Sequence, residues 1–248
     1  MLFTIRKGIF LFLAPAIALV IAACGSGSGG GGGGLAGGGI GGTGITSGTI
    51  TGFGSVFVNG IEFETDSSTF NVDDDNSASQ DDLNIGMVVT VVGTVNSDGI
   101  SGDAVSIEYD DEVEGPVANN PVEDADMTTK TFTVFDITVI AHKNTTSFSS
   151  TDYAGLARND IVEVSGFFNS DGALEATWLE KKGELSLGTS EVEIKGTVAG
   201  FNNTDTFTLD GITVTCDGTT DLSEVPGGVN DNCPVVEVKG VVGCDARH

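Results

Sequence analysis

The chain has 248 residues, of which 36 are Asp or Glu and only 10 are Lys or Arg, a formal net charge of −26 at pH 7. No Lys or Arg lies between Lys7 and Lys130, while 18 of the acids precede Met127. A body this acidic repels phosphate backbones, which excludes nucleic-acid binding through a basic groove, and it repels an anionic membrane surface.

The chain opens on a short basic start, Arg6-Lys7, followed by an apolar stretch from Gly8 to Val20 with Pro15 in its middle. The stretch is too short, with the wrong flanks, for a permanent membrane span. A basic start, a short apolar core and small residues before a cut site make a secretory signal. Ile21-Ala22-Ala23-Cys24 closes that run and resembles the lipobox of bacterial lipoproteins. The resemblance implies removal of residues 1–23, diacylation of the Cys24 thiol and acylation of the new amino terminus. Losing Arg6 and Lys7 takes the net charge from −26 to −28. Gly25 stands where an aspartate marks retention at the inner membrane, so the same resemblance points to the outer membrane. The expected location is the bacterial cell envelope, with the membrane as partner through the N-terminal lipid.

Residues 24–47 read as a tether. From Gly25 to Gly44, 14 of 20 residues are glycine, a composition with nothing to bury and maximal backbone entropy to lose. Such a chain reaches about 25 Å.

Beyond the tether the sequence repeats. Asp82–Asp111, Gly155–Glu184 and Gly227–His248 share a frame in which a turn leads into VVTVVG, IVEVSG or VVEVKG. In the first two copies an NSDG turn follows, at Asn96–Gly99 and Asn169–Gly172. Asp-Gly between apolar runs signals a hairpin, because glycine accepts positive φ. The front halves, starting at Gly48, Lys130 (with Glu114–Val117 as a first strand) and Lys195, each carry a Phe-centred strand. A tight turn follows at Asn59-Gly60, Phe135-Asp136 or Asp210-Gly211, and then a strand opening with Ile. The predicted architecture is all-β, with three tandem five-stranded, barrel-like (OB-like) units at 48–112, 113–184 and 185–248. Closure into barrels removes exposed edges; a sandwich assembled from all three units is the alternative. Copies of roughly 65 residues have marginal cores, so neighbouring units are expected to pack together. The third copy ends at His248 and lacks the closing strand that AVSIEY and ATWLEK supply in the others. Its open edge is expected to be filled by residues 184–193 or by a second molecule.

The GTITGFGSVFVNGIEF opening, the GMVVTVVGTVNSDG hairpin and the closing AVSIEYDDEVEGPV resemble an uncharacterised repeat family of bacterial exported lipoproteins, known only as a domain of unknown function. The resemblance runs from Gly48 to the C-terminus and brings no activity with it.

Candidate sites are few. Asp73-Asp74-Asp75-Asn76 with Asp81-Asp82 puts five carboxylates within ten residues. An EF-hand needs glycine at the sixth position and glutamate at the twelfth, and counted from Asp73 those places hold Ala78 and Asn84. Asp73, Asp75 and Asp81 are the metal candidates, but a solvated acidic loop is the expectation, with no specific calcium binding. Asp110-Asp111-Glu112 with Glu114 reads the same way, as an acidic linker. No GxSxG, HExxH or P-loop occurs, so no catalytic residue and no cofactor is assigned. His142 and His248 are the mature chain's histidines, and neither has a nucleophile pattern beside it. Aligning Ala104 with Ala176 makes Val105, Ile107, Thr177 and Leu179 the inward set and turns Trp178, opposite Ser106, outward. Trp178 is then an inter-unit contact or a ligand platform. Cys216 and Cys233 are the expected disulfide, closing 18 residues for roughly 3 kcal/mol. Cys244 is left as a free thiol beside the open edge, where it points to a homodimer through the third unit.

Together these features predict a non-enzymatic, lipid-anchored envelope protein that binds an unidentified envelope partner or glycan, or acts as a spacer. An envelope glycan hydrolase using paired carboxylates and a calcium-responsive module are the rival expectations.

Overall fold

The computed structural model describes residues 2–5, 9–10, 44–199, 206–209, 212–216, 220–221 and 235–243. Two short strands lie near the start, β1 (Leu2–Ile5) and β2 (Ile9–Phe10). The first unit follows with β3 (Ile45–Phe53), β4 (Val56–Val58), β5 (Ile61–Glu64), β6 (Thr69–Val72), β7 (Val88–Val95) and β8 (Ser101–Tyr109). The second holds β9 (Val113–Pro116), β10 (Val122–Glu123), β11 (Thr129–Val134), β12 (Ile137–His142), β13 (Ser147–Ser149), β14 (Asp160–Phe168) and β15 (Leu174–Glu184). The third has β16 (Glu191–Gly196), β17 (Val198–Ala199), β18 (Thr206–Leu209), β19 (Ile212–Cys216) and β20 (Val236–Val241). The described residues are all-β as expected, with one 3-10 turn among them, at Gln80–Asp82 in the DDDNSASQDDL stretch. Among the described residues no helix is long and apolar enough to cross a membrane.

The first two units have one wiring. In the first, β3 pairs with β4 and β7, and β8 pairs with β7 on one side and with β5 and then β6, both parallel, on the other. That closes a five-sided barrel in which β5 and β6 share one wall. In the second, β14 pairs with β9 and β15, while β12 and β13 run parallel to β15. A bridge from Val117 to Val134 brings the end of β9 against β11 and completes the ring. Each closure buries its own core, around Ile50, Val56, Phe63 and Ile107 in the first and Phe132, Val139, Val164 and Leu174 in the second. The turns of these two units are those the sequence predicts; Asp210-Gly211, predicted for the third, lies outside the described residues. Asn59 and Gly60 both take positive φ (53° and 78°) between β4 and β5, and Gly99 and Gly172 do so (73° and 77°) in the two NSDG turns.

The third unit is finished by an unexpected segment. β16 pairs with β20, and β17, β18 and β19 form consecutive antiparallel pairs. β1 runs parallel to β19 and antiparallel to β20, the two relations β8 has to β5 and β7. The edge expected to be open is therefore taken by Leu2–Ile5, not by residues 184–193. Residues 191–193 open β16 instead, and they pair with β20.

Two sequence expectations need correction. The tether ends before residue 47, since Ile45–Ser47 already pair with Thr90–Val92 in β3. Val105 does not point inward: it is 64% exposed, while Ala104 and Ile107 are buried. The cause is a β-bulge. The register shifts between Val92 and Gly93, and at the matching place, between Ser165 and Gly166, in the second unit. A bulge inserts one residue and reverses the in-out phase beyond it. Thr177, the counterpart of Val105, is likewise turned out of its barrel's core, and its hydroxyl donates to the Gly86 carbonyl at 2.6 Å. Both bulges need glycine. A Cβ on Gly93 would sit 2.2 Å from the Asp103 carbonyl oxygen, and one on Gly166 would sit 2.1 Å from that of Glu175.

Candidate functional site: an acidic seam between the units

Three of the core strands, IVEVSG, EVEIKG and VVEVKG, place a charged residue between buried aliphatic ones. With period two, the aliphatic residues face the barrel core and the charges face out. β9 lies between β14 and β16, so the second and third barrels share one continuous sheet. The register then lines the charges up. Glu180 lies opposite Glu163, Glu163 opposite Glu114, Glu114 opposite Glu193, and Glu193 opposite Lys239. Like charges directly opposed across strands destabilise a sheet, and this row is not solvated. The end of the first unit covers it with Tyr109, the Asp110–Glu112 linker and the Asp73-Asp74 corner, leaving Glu163 2%, Glu237 1% and Asp111 3% exposed.

Hydrogen bonds and ion pairs stitch the seam. Tyr109 Oη donates to Glu163 Oε1 at 2.8 Å, and the Gly166 amide donates to Glu112 Oε2 at 2.8 Å. Three lysines converge from the second and third units. Lys182 Nζ lies 2.8 Å from Glu163. Lys195 Nζ lies 2.5 Å from Asp110 and donates to the Asp111 backbone carbonyl. Lys239 Nζ reaches Asp74 at 2.8 Å, Glu193 at 3.0 Å and Glu237 at 3.1 Å. Asp73 and Asp74 hold the corner with positive φ (49° and 67°), a conformation aspartate tolerates better than most residues.

Three lysines do not neutralise this many carboxylates, and burial favours the protonated form of several of them. Burial pushes Asp73, Glu112 and Glu114 each up to about 7. Burial, then Asp111, pushes Glu193 up to about 11, and it shares its proton with Glu237. Burial also carries Asp111 well above the ordinary carboxylate range. For all three lysines burial acts downward, but the surrounding carboxylates outweigh it and hold them charged. Two groups of carboxylates bring ligand atoms within 4.8 Å of one another: Asp73, Asp110 and Asp111, and Asp110, Glu193 and Glu237.

Of the sequence-predicted metal candidates, only Asp73 reaches the seam. Asp75 is held at the surface by the Ser77 amide and hydroxyl, at 2.8 and 2.6 Å, and Asp81 is exposed on the 3-10 turn. The Asp110–Glu112 linker, read from sequence as solvated, is half-buried at Asp110 and Glu112 and buried at Asp111; its partner Lys195 lies 84 residues from Asp111 in the chain, and no local pattern announces it. The signal that did exist was the charge inside each apolar core strand, at Glu163, Glu193 and Glu237.

Trp178 faces out of its own barrel and is 1% exposed, in the core of the first unit. Its ring meets Tyr109 edge-on, with centroids 6.0 Å apart. So closed a position offers no platform to a ligand. His142 Nε2 lies 2.6 Å from Glu175 Oε2 at a half-exposed strand end. Cys216 ends β19; Cys24, Cys233, Cys244 and His248 lie outside the described residues, and with them the expected disulfide, free thiol and lipidation site.

Among the described residues, two of the concavities lie away from the seam. A cleft of about 350 Å³ between the second and third units is lined by Val117, Phe135, Arg158, Leu185 and Ile212, among others. A shallower groove of about 590 Å³ presents Tyr153 beneath Lys130 and Lys143, at 4.8 and 5.7 Å from its ring centre.

Residues 44–108 and 114–180, which cover most of the first and second units, each match a family described as a domain of unknown function (DUF5666). No curated protein and no solved structure matches the chain.

Proposed function

The chain belongs to the DUF5666 family, and from that premise we propose that it is a lipid-anchored protein of the bacterial cell envelope whose repeats form a non-enzymatic binding and spacing module. Cys24 carries the lipid, the glycine tether gives slack, and the packed barrels form the body that stands off the membrane. Acidity supports this division of labour, since a mature charge of −28 leaves attachment to the acyl chains. The observation that carries the non-enzymatic part is the burial of the seam. Carboxylates that acid-base chemistry on a glycan would need in an open cleft are instead sealed between units, with Glu163 2% and Glu237 1% exposed. For ligand binding the Tyr153 groove is the favoured face. It sets Lys130 and Lys143 over one aromatic ring, with Glu123 and Asp152 on the same lining, a mixed polar and aromatic surface of the kind that suits a glycan.

The test is fractionation and intact mass of the wild type beside Cys24→Ser. The wild type is expected in the membrane fraction with the mass of its acyl chains added, and the variant in the soluble fraction without them. A variant that stays in the membrane fraction at unchanged mass overturns the lipid anchor.

A further inference from the structure

We infer that the corner formed by Asp73, Asp110 and Asp111 is a binding site for a hard divalent cation, with calcium the best match. The three carboxylates come from two segments, the turn after β6 and the linker after β8. Their oxygens all lie within 4.8 Å of one another. Oxygens on opposite sides of a calcium ion, at about 2.4 Å each, are about 4.8 Å apart, so each pair of these oxygens falls within the span of one ion's ligand shell.

A second observation separates this corner from an ordinary acidic cluster. Asp111 is 3% exposed, its Oδ2 is buried, and that atom accepts no hydrogen bond; nor does the buried Oδ1 of Asp73. Buried polar atoms are normally satisfied, and an exception calls for a proton, a water or an ion. In the adjoining group Asp110, Glu193 and Glu237 have equally close oxygens, and Glu193 Oε1 and Glu237 Oε1 are likewise buried without a hydrogen bond, but there Lys195 and Lys239 stand among the carboxylates at 2.5 to 3.1 Å. Lys195 donates to the Asp111 backbone carbonyl, which leaves the Asp111 Oδ2 without a hydrogen bond.

The donor set chooses the metal class. All three ligands are carboxylates, with no histidine or cysteine among them, which favours calcium, magnesium or manganese over zinc or copper. Calcium tolerates irregular geometry and bidentate carboxylates, whereas magnesium demands a near-ideal octahedron. Asp110 is shared with Lys195, so the affinity is expected in the range of extracellular calcium modules, about 10⁻⁴ M. The isolated Asp73–Asp82 loop fails the EF-hand spacing; the site exists because folding brings Asp110 and Asp111 to Asp73.

The experiment is calcium titration calorimetry on the chelator-treated full chain at neutral pH in physiological salt, beside terbium luminescence sensitised by Tyr109 and Trp178. One saturable site per chain is expected, with terbium emission that calcium displaces. Asp73→Asn and Asp111→Asn are each expected to weaken it ~10-fold or more, and Asp81→Asn to leave it unchanged. Thermal melting in chelator shows whether the Asn variants fold. The wild-type terbium signal stands without them. Absence of saturable heat and of displaceable emission up to millimolar calcium overturns the site. So does a site that survives both substitutions, or one lost in Asp81→Asn. None of these outcomes depends on the lipid anchor.

Discussion

Trp178 shows how far one residue could be read and where the reading stopped. Alignment of ATWLEK with AVSIEY turned it out of its own barrel, because the residues on either side of the strand were legible by period. What it meets was not legible, because Tyr109 and the first unit's core are brought there only by the docking of whole barrels. Val105 failed for a different reason. The shared glycines of VVTVVG and IVEVSG were visible, but nothing in either string says that a bulge beside them reverses the phase of the partner strand. Truncating a fully buried tryptophan costs about 3–5 kcal/mol. Trp178→Ala is therefore expected to lower unfolding free energy by that amount, measured by urea titration, and to loosen the first unit although the residue belongs to the second. A loss below 1 kcal/mol, the scale of an exposed site, would mean that the two barrels do not share this side chain.

At the scale of strands, the sequence announced nearly every element of the first two units, because turns and alternation are local. The same pattern led to the expectation of an open edge in the third. Its remedy was not announced, since β1 comes from the far end of the chain and reaches β19 and β20 only in the folded state. The consequence depends on the proposed processing. Cleavage before Cys24 removes Leu2–Ile5 and opens the edges of β19 and β20, and open edges seek a strand. A chain beginning at residue 24 is expected to lose hydrogen-exchange protection in Val236–Val241 relative to the full chain. A synthetic peptide of residues 2–10 added in trans is expected to restore it. If protection is the same with and without residues 1–23, β1 contributes nothing to the barrel. Restoration by raised protein concentration alone would point to the homodimer expected from the open edge.

Over the whole molecule the seam sets the pH response. Asp73, Glu112 and Glu114 sit near 7 in the folded chain because they are buried, against about 4 when unfolded. Between those values the folded state binds more protons, so stability is full below about pH 4 for these groups and is lost as pH rises through about 7. Surface carboxylates act in the opposite sense. Asp98 and Asp124 are held low by backbone amides, of Ile100 and Thr129 first, and their contribution is lost only in stronger acid. The net charge of −26 adds repulsion as pH rises. In chelator the melting temperature is therefore expected to peak near pH 5 and to fall steadily towards pH 8. A cation at Asp73 and Asp111 takes the place of protons there, so millimolar calcium is expected to raise the curve most at pH 8 and to flatten its slope. A chelated melting temperature that is level or rising over this range would mean that the seam carboxylates ionise in the folded chain without penalty. The three lysines would then balance the seam by themselves.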